Sequence, residues 1–212
     1  MRELSIGSHC LTIAQSEWGV RLSTNVFKSV RKPKVRNSRE RRISKEEWDR
    51  IVDSDFRRGE KSMIHIIELA IETAMRKGEL LNAKWSDIDF SQSTLHIPKT
   101  KNEYPRTIPL TPRAMEIIRS IERKNGNTSI ISVNYFTLNS WWVNLLKAAG
   151  IRNLRWHDLR HEGISRYFEY GLSVPEVAMI SGHRDYQMLR RYTHIKPESV
   201  AAKLAAIFNK PT

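Results

Sequence analysis

A mainly helical α+β fold with one small antiparallel sheet is what this sequence predicts, on three observations. Between Met63 and Met75 the run MIHIIELAIETAM is apolar on most sides of a helix, the pattern of a buried central helix. Two short β-like runs, Thr94 to Pro98 and Thr107 to Leu110, flank the basic stretch KTKNEYPR, so they pair as a hairpin or small sheet with a basic tip. Helix-start signals fill most of the remaining chain, and no internal repeat interrupts them.

Taken in order, residues 1–28 read as helical in part, with Trp18, Val20 and Leu22 in SEWGVRL. The next stretch, KSVRKPKVRNSRERR, packs eight Lys or Arg into fifteen residues and reads as a linker, either a solvated tether or a segment that lies on phosphates. ISKEEWDRI then supplies a capping box, Ser44 with Glu47, and opens a main domain spanning 41–212. The 63–75 helix closes at RKGELL, where Arg76 reads as a cation complementing a helix C-terminus. Helical patterns return at 112–123 and at 137–149, the second carrying Trp141, Trp142, Leu145 and Leu146 and ending at Gly150. His157 to Tyr170 is another helix. Ser173-Val174-Pro175-Glu176 starts the next, with proline in the first turn and glutamate three residues after the cap, and Gly182 ends it. One more begins near Asp185 and carries Tyr192. The last, PESVAAKLAAIF, has an apolar face of Val200, Leu204 and Ile207 or Phe208.

The 212 residues hold 36 Lys and Arg against 23 Asp and Glu, a net charge of +13, which points to a polyanionic partner and first to nucleic acid. No run approaches the roughly 18 apolar residues of a spanning helix, and the amino end lacks a signal peptide's pattern, so the expected location is cytoplasmic. The single Cys10 allows no internal disulfide and no thiolate zinc site.

The chemistry concentrates near the carboxyl end. In HDLRH, His157 and Arg160 are three apart and share one side of a helix. Gly182-His183 and Arg191-Tyr192 follow within a helical hairpin's length. Imidazoles, arginines and a tyrosine together suit phosphoryl transfer to a phenol. Charge builds on the phosphate oxygens as phosphorus becomes five-coordinate, and arginine's planar, permanently charged fork meets it. The phenol needs a neighbouring base or a positive field, and the departing sugar oxygen needs a proton from a lysine or histidine. A second arginine belongs across the pocket, where Arg76 is a candidate with Glu79 placed to orient it. The basic hairpin tip offers Lys99 and Lys101.

These residues resemble the catalytic domain of the tyrosine recombinase, or phage integrase, family. The matching stretches are ETAMRKGELLNAKWSDID, IPKTKNEYPRTIPL, RWHDLRHEGISRYFEYGLSVPEVAMISGH and RRYTH, in the family's order across residues 41–212. The resemblance implies the recombinase catalytic-domain fold and a DNA strand-exchange enzyme. A tyrosine attacks a backbone phosphate, forms a 3′-phosphotyrosyl link and frees a 5′-hydroxyl, without metal, ATP or other cofactor. It makes Arg76 and Arg160 the clamp arginines, His157 the HxxR histidine, His183 the histidine after glycine, and Tyr192 the nucleophile. The lysine is Lys101, with Lys99 close enough to keep that choice open. Glu79 and Asp158 match supporting positions; His161 and His194 match residues expected to make local hydrogen bonds. Leu189 stands where the family often has threonine, a position concerned with packing.

Residues 1–40 resemble the last helix of the family's core-binding domain and the interdomain linker. Without the rest of that domain the chain is expected to bind DNA weakly and with little discrimination. Double-stranded DNA is the implied partner, with a homotetramer forming on DNA, a monomer without it, and no membrane association. The alternative is a truncated relative that binds DNA without recombining it. A metal-dependent nuclease built on His157, His161 and His183 lacks acidic ligands beside them.

Overall fold

The computed structural model describes residues 2–31, 39, 41–57, 61–98, 104–123, 126, 128–193, and positions 198, 200, 201, 205 and 208. The chain divides into two compact units, Met1–Arg39 and Glu40–Thr212. In the first, α1 (Arg2–Ser16) packs on the short α2 (Val26–Ser29). Asn25 caps α2 by accepting from the Phe27 amide, and its own amide donates to the Ser8 carbonyl at 2.8 Å. Most of SEWGVRL, read from sequence as helical, lies past the end of α1, where Gly19 takes φ +68 and Trp18 is exposed. The basic stretch 32–38 and residue 40 fall outside the described residues.

In the second unit α3 (Lys45–Arg57) starts at the expected capping box: the Ser44 and Glu47 amides donate to each other's side chains, both at 3.2 Å. α4 (Lys61–Thr73) is the central helix, packed against α3, α6 (Pro112–Ser120) and α8 (Trp156–Glu169), and it buries Met63, Ile67 and Leu69. α5 (Lys77–Asn82) is a separate short helix. A turn of 3-10 helix then leads into a three-stranded antiparallel sheet in the order β1 (Ile88–Asp89), β2 (Thr94–Ile97), β3 (Arg106–Pro109). Leu95 lies opposite Ile108 and Ile97 opposite Arg106; Leu95, Ile97 and Ile108 point into the core. At two residues β1 is too short to show alternation, so the sequence reveals only the hairpin.

α7 (Tyr135–Ala148) is capped by Asn134, and Trp142 meets Trp156 of α8 edge-on at 5.3 Å. α9 (Val174–Ser181) has the expected Ser173/Glu176 box and ends at Gly182 with φ +75, where a left-handed residue must stand. The segment from Tyr186 to Tyr192 is a 3-10 helix capped by Asp185, and Leu189 is its buried residue, in keeping with a packing role. Of the last predicted helix, Val200 and Phe208 are described and exposed; Leu204 and Ile207 lie outside the described residues.

Glu162 of α8 ties the start of this unit down. It accepts from Arg42 Nε at 2.7 Å, from the Ile43 amide at 3.3 Å and from Arg166 at 2.9 Å. Burial pushes its carboxyl up, but the hydrogen bonds from Arg42 and Arg166 outweigh burial and hold it below the usual range.

α4 and α8 approach so closely that a Cβ on Gly163 would lie 2.1 Å from the Ile71 carbonyl oxygen. Backbone cannot yield as a side-chain tip does. Gly163→Ala is therefore expected to destabilise the fold by about 1–3 kcal/mol or more through overpacking, read as a lower midpoint in urea unfolding.

Candidate active site

The site begins where α4 stops. Ala74 adopts φ +48, a left-handed conformation uncommon for a residue with a Cβ, and turns the chain out of the helix. Its carbonyl consequently accepts from Arg160 Nη1 of α8 at 2.7 Å. Two residues on, Arg76 is the N-cap of α5 and not the last residue of a long helix, which corrects the sequence reading of a cation on a helix C-terminus. No glycine marks the break in sequence, so the pattern runs on unbroken. Glu79, buried in the first turn of α5, accepts from the Arg76 amide at 2.9 Å and from its Nη1 at 3.4 Å, the orienting role expected of it.

Arg106 of β3, absent from the sequence-based candidates, makes the closer pair with Glu79: Nη1 and Nη2 each donate to one carboxylate oxygen at 2.8 Å. Its Nε donates to the Ile180 carbonyl at 3.1 Å. The last carbonyls of α9 are thus satisfied by arginines, since Ser181 O accepts from Arg160 Nη2. Ser181 Oγ in turn bonds His183 Nδ1 at 2.7 Å, placing that imidazole just beyond Gly182. The signal that could have exposed Arg106 is the conjunction of a basic residue at a strand start with a buried acid elsewhere, and spacing alone does not reveal it.

Tyr192 sits against α8. Its hydroxyl hydrogen-bonds His161 Nδ1, and its ring stacks on Phe168 with centroids 6.3 Å apart. His161 meets His157 edge-on at 4.7 Å. The sequence reading expects His161 to bond locally; its hydrogen bond instead reaches across the chain to the Tyr192 hydroxyl. Arg191 lies over the Tyr192 ring at 5.0 Å, and its buried Nε has no hydrogen-bond partner among the described residues. Asp158 accepts from the Arg155 amide at 2.7 Å and caps α8. Beside Arg76, Lys77 packs between Tyr135 and Trp156 at 4.3 and 5.2 Å, and burial lowers its pKa. Lys99, Lys101 and His194 lie outside the described residues.

The cationic groups lie within one another's field. Burial, then Arg160, lowers the pKa of His157, and Arg76 and Arg191 add to the effect. His161 is pushed down to about 4 by burial, then by His157 and Arg191. His183 is likewise pushed to about 4, by burial, then Arg160 and Arg76. Burial raises the Tyr192 phenol, opposed by Arg191 and Arg160. Arg76, His157, Arg160, His183 and Tyr192, predicted from separate stretches, therefore converge on one region. Guanidiniums and imidazoles grouped in this way suit an oxyanion and proton transfer, and the phenol joins them through its hydrogen bond to His161.

Comparison with known proteins agrees. The phage integrase family model matches residues 41–199. The chain is 41% identical over 207 residues to a shufflon-specific DNA recombinase of Escherichia coli, covering 96% of this chain and 53% of that protein. It is 28% identical over 209 residues to a putative integrase/recombinase of Haemophilus influenzae, covering 96% and 68%. A lambda integrase dimer bound to a core site superposes with a TM-score of 0.69 at 25% identity, over 89% of this chain and 70% of that one. The Tn1549 transposon integrase in complex with circular intermediate DNA matches at 0.69 and 16% identity, over 94% and 76%, a likeness of fold. The chain spans about half the length of its E. coli relative.

The lowered histidines make stability depend on pH. The fold favours neutral His161 and His183, so their contribution is complete above the ordinary value of 6.5 and is lost as pH falls towards about 4. The melting temperature is expected to drop across that window, and His161→Gln should flatten the drop. Thermal melts of both proteins at stepped pH would show it; parallel curves would refute it.

Proposed function

The chain belongs to the phage integrase family, and on that premise we propose that it is a site-specific DNA recombinase that cleaves and rejoins duplex strands through a 3′-phosphotyrosyl intermediate. What supports the proposal most is that Arg76 and Arg160 act on both His157 and His183, while the Tyr192 hydroxyl bonds His161, whose ring meets His157 at 4.7 Å. The net charge of +13 and the DNA-bound state of the lambda and Tn1549 integrases support duplex DNA as substrate.

In this reading Tyr192 Oη attacks the scissile phosphorus, and the bond to the 5′-oxygen breaks as the phosphotyrosyl bond forms. His161, whose Nδ1 hydrogen-bonds that oxygen, is assigned as the group that receives the phenol proton as the phosphotyrosyl bond forms. Arg76 and Arg160 take the non-bridging oxygens, joined by His157 and His183. The departing 5′-oxygen receives its proton from Lys101, with Lys99 as the alternative. A second 5′-hydroxyl then attacks phosphorus, giving its proton to the lysine while His161 returns one to the departing phenol, so one bond is exchanged at each step and no cofactor enters.

We assign residues 1–40 to the end of the core-binding domain and its linker. Assembly is proposed as a tetramer on DNA from monomers in its absence, and the exposed Val200 and Phe208 offer apolar surface for a neighbouring protomer. Among the described residues no helix is long and apolar enough to cross a membrane, and the reading places the protein with the bacterial nucleoid.

Tyr192→Phe is expected to bind DNA and fold normally yet form no covalent adduct on a nicked duplex, scored as a denaturation-resistant complex; an adduct from that variant would end the proposal. Arg76→Ala and Arg160→Ala should each slow adduct formation by about a hundredfold or more, as loss of one oxyanion donor does. Sedimentation without DNA should report a monomer.

A further inference from the structure

We propose that Arg106 is a positioning residue for strand transfer, holding Arg76 and the His183 turn at their working separation while not itself meeting the phosphate. The inference rests on the recombinase reading above.

Three elements meet on this one guanidinium. Through Nη1 and Nη2 it grips Glu79, whose Oε2 also accepts from the Arg76 amide and whose Oε1 accepts from Arg76 Nη1. Through Nε it holds Ile180 O in the last turn of α9. From β3 it stands opposite Ile97, at the root of the hairpin whose sequence continues into Lys99 and Lys101. The side chain is 11% exposed, against 35% for Arg76.

The turn before His183 is moulded on it. A Cβ on Gly182 would lie 2.9 Å from Arg106 Cζ and 3.0 Å from Nη1, so glycine at 182, already favoured by the φ of +75, also lets this guanidinium lie against the turn; a Cβ there would push it aside.

Competition for Glu79 completes the argument. Both carboxylate oxygens accept from Arg106 at 2.8 Å, whereas the Arg76 guanidinium reaches Oε1 only at 3.4 Å. A planar fork bound bidentately holds the carboxylate more firmly than a longer contact does. Arg106 thereby fixes the plane of Glu79, and with it the direction in which Glu79 receives the Arg76 amide and guanidinium. A lysine in its place would keep the charge but lose the fork and the third bond.

The test uses the full chain and a nicked duplex selected from random sequence for adduct formation by the wild type. Arg106→Lys should slow adduct formation by about 10- to 100-fold with DNA affinity changed less than about threefold, the scale of a group that orients a reacting residue. Combined with Arg76→Lys, the loss should be smaller than the product of the two single losses, since both act through one guanidinium. A merely structural ion pair would lower the melting temperature and leave the rate of the folded protein unchanged, or give losses that multiply; either result overturns the inference. Should Arg106→Lys fail to fold, Glu79→Gln, which weakens the same bridge, carries the same expectations. A wild-type chain that forms no adduct on any selected duplex would overturn the recombinase reading and this inference with it, whereas an active wild type with an unimpaired Arg106→Lys overturns this inference alone.

Discussion

One buried carboxylate and a few helix-end carbonyls hold together a pocket that like charges would otherwise drive apart. Arg76, Arg160 and Arg191 act on the imidazoles of His157 and His183; Glu79 accepts from Arg76 and Arg106, and buried Asp158 adds negative charge beside His157 and His161. Backbone dipoles add to this: Ala74 O and Ser181 O accept from Arg160, and Ile180 O from Arg106. Carbonyls suit the task because they orient a cation without cancelling its charge, so the field stays positive for an anion to enter. The imidazoles report that field, since burial and the arginines together keep them neutral.

The geometry depends on places where regular structure gives way. Had α4 continued through Ala74, the carbonyl that holds Arg160 would have been spent on an intrahelical bond and Arg76 would point elsewhere. Gly182 performs the same service for α9, releasing the chain so that His183 returns to Ser181 Oγ. Each break costs a little conformational energy, and the cost is tolerated where the surrounding packing over-determines it. At Ala74 that packing is α8 itself, whose Gly163 would bring a Cβ to 3.3 Å from the Ala74 methyl.

How far the sequence discloses this can be judged element by element. Helix starts marked by side-chain caps, at Ser44 and Ser173, are legible because the capping bond is local and has a fixed spacing. The buried face of α4 is legible because its apolar residues outnumber what one surface stripe needs. The end of α4 is not, for an alanine in a left-handed turn leaves no compositional mark. Of the candidate site, Arg76, His157, Arg160, His183 and Tyr192 can be picked out in sequence because phosphoryl transfer to a phenol calls for few residue types. Arg106 was hidden, since its meaning lies in a bond to a residue 27 positions away, and so was the choice of His161, not His157, as the partner of the Tyr192 hydroxyl.

The crossing of α4 and α8 has a mechanical corollary. Gly163 faces Ile71 and Arg160 reaches Ala74, so each helix advances three residues between the two points, in opposite directions. Two fixed marks on antiparallel rods make a gauge. Slippage by one helical turn would shift the guanidinium by about 5.4 Å and force main chain into main chain. Any rearrangement of this unit must then spare this axle and take place around it.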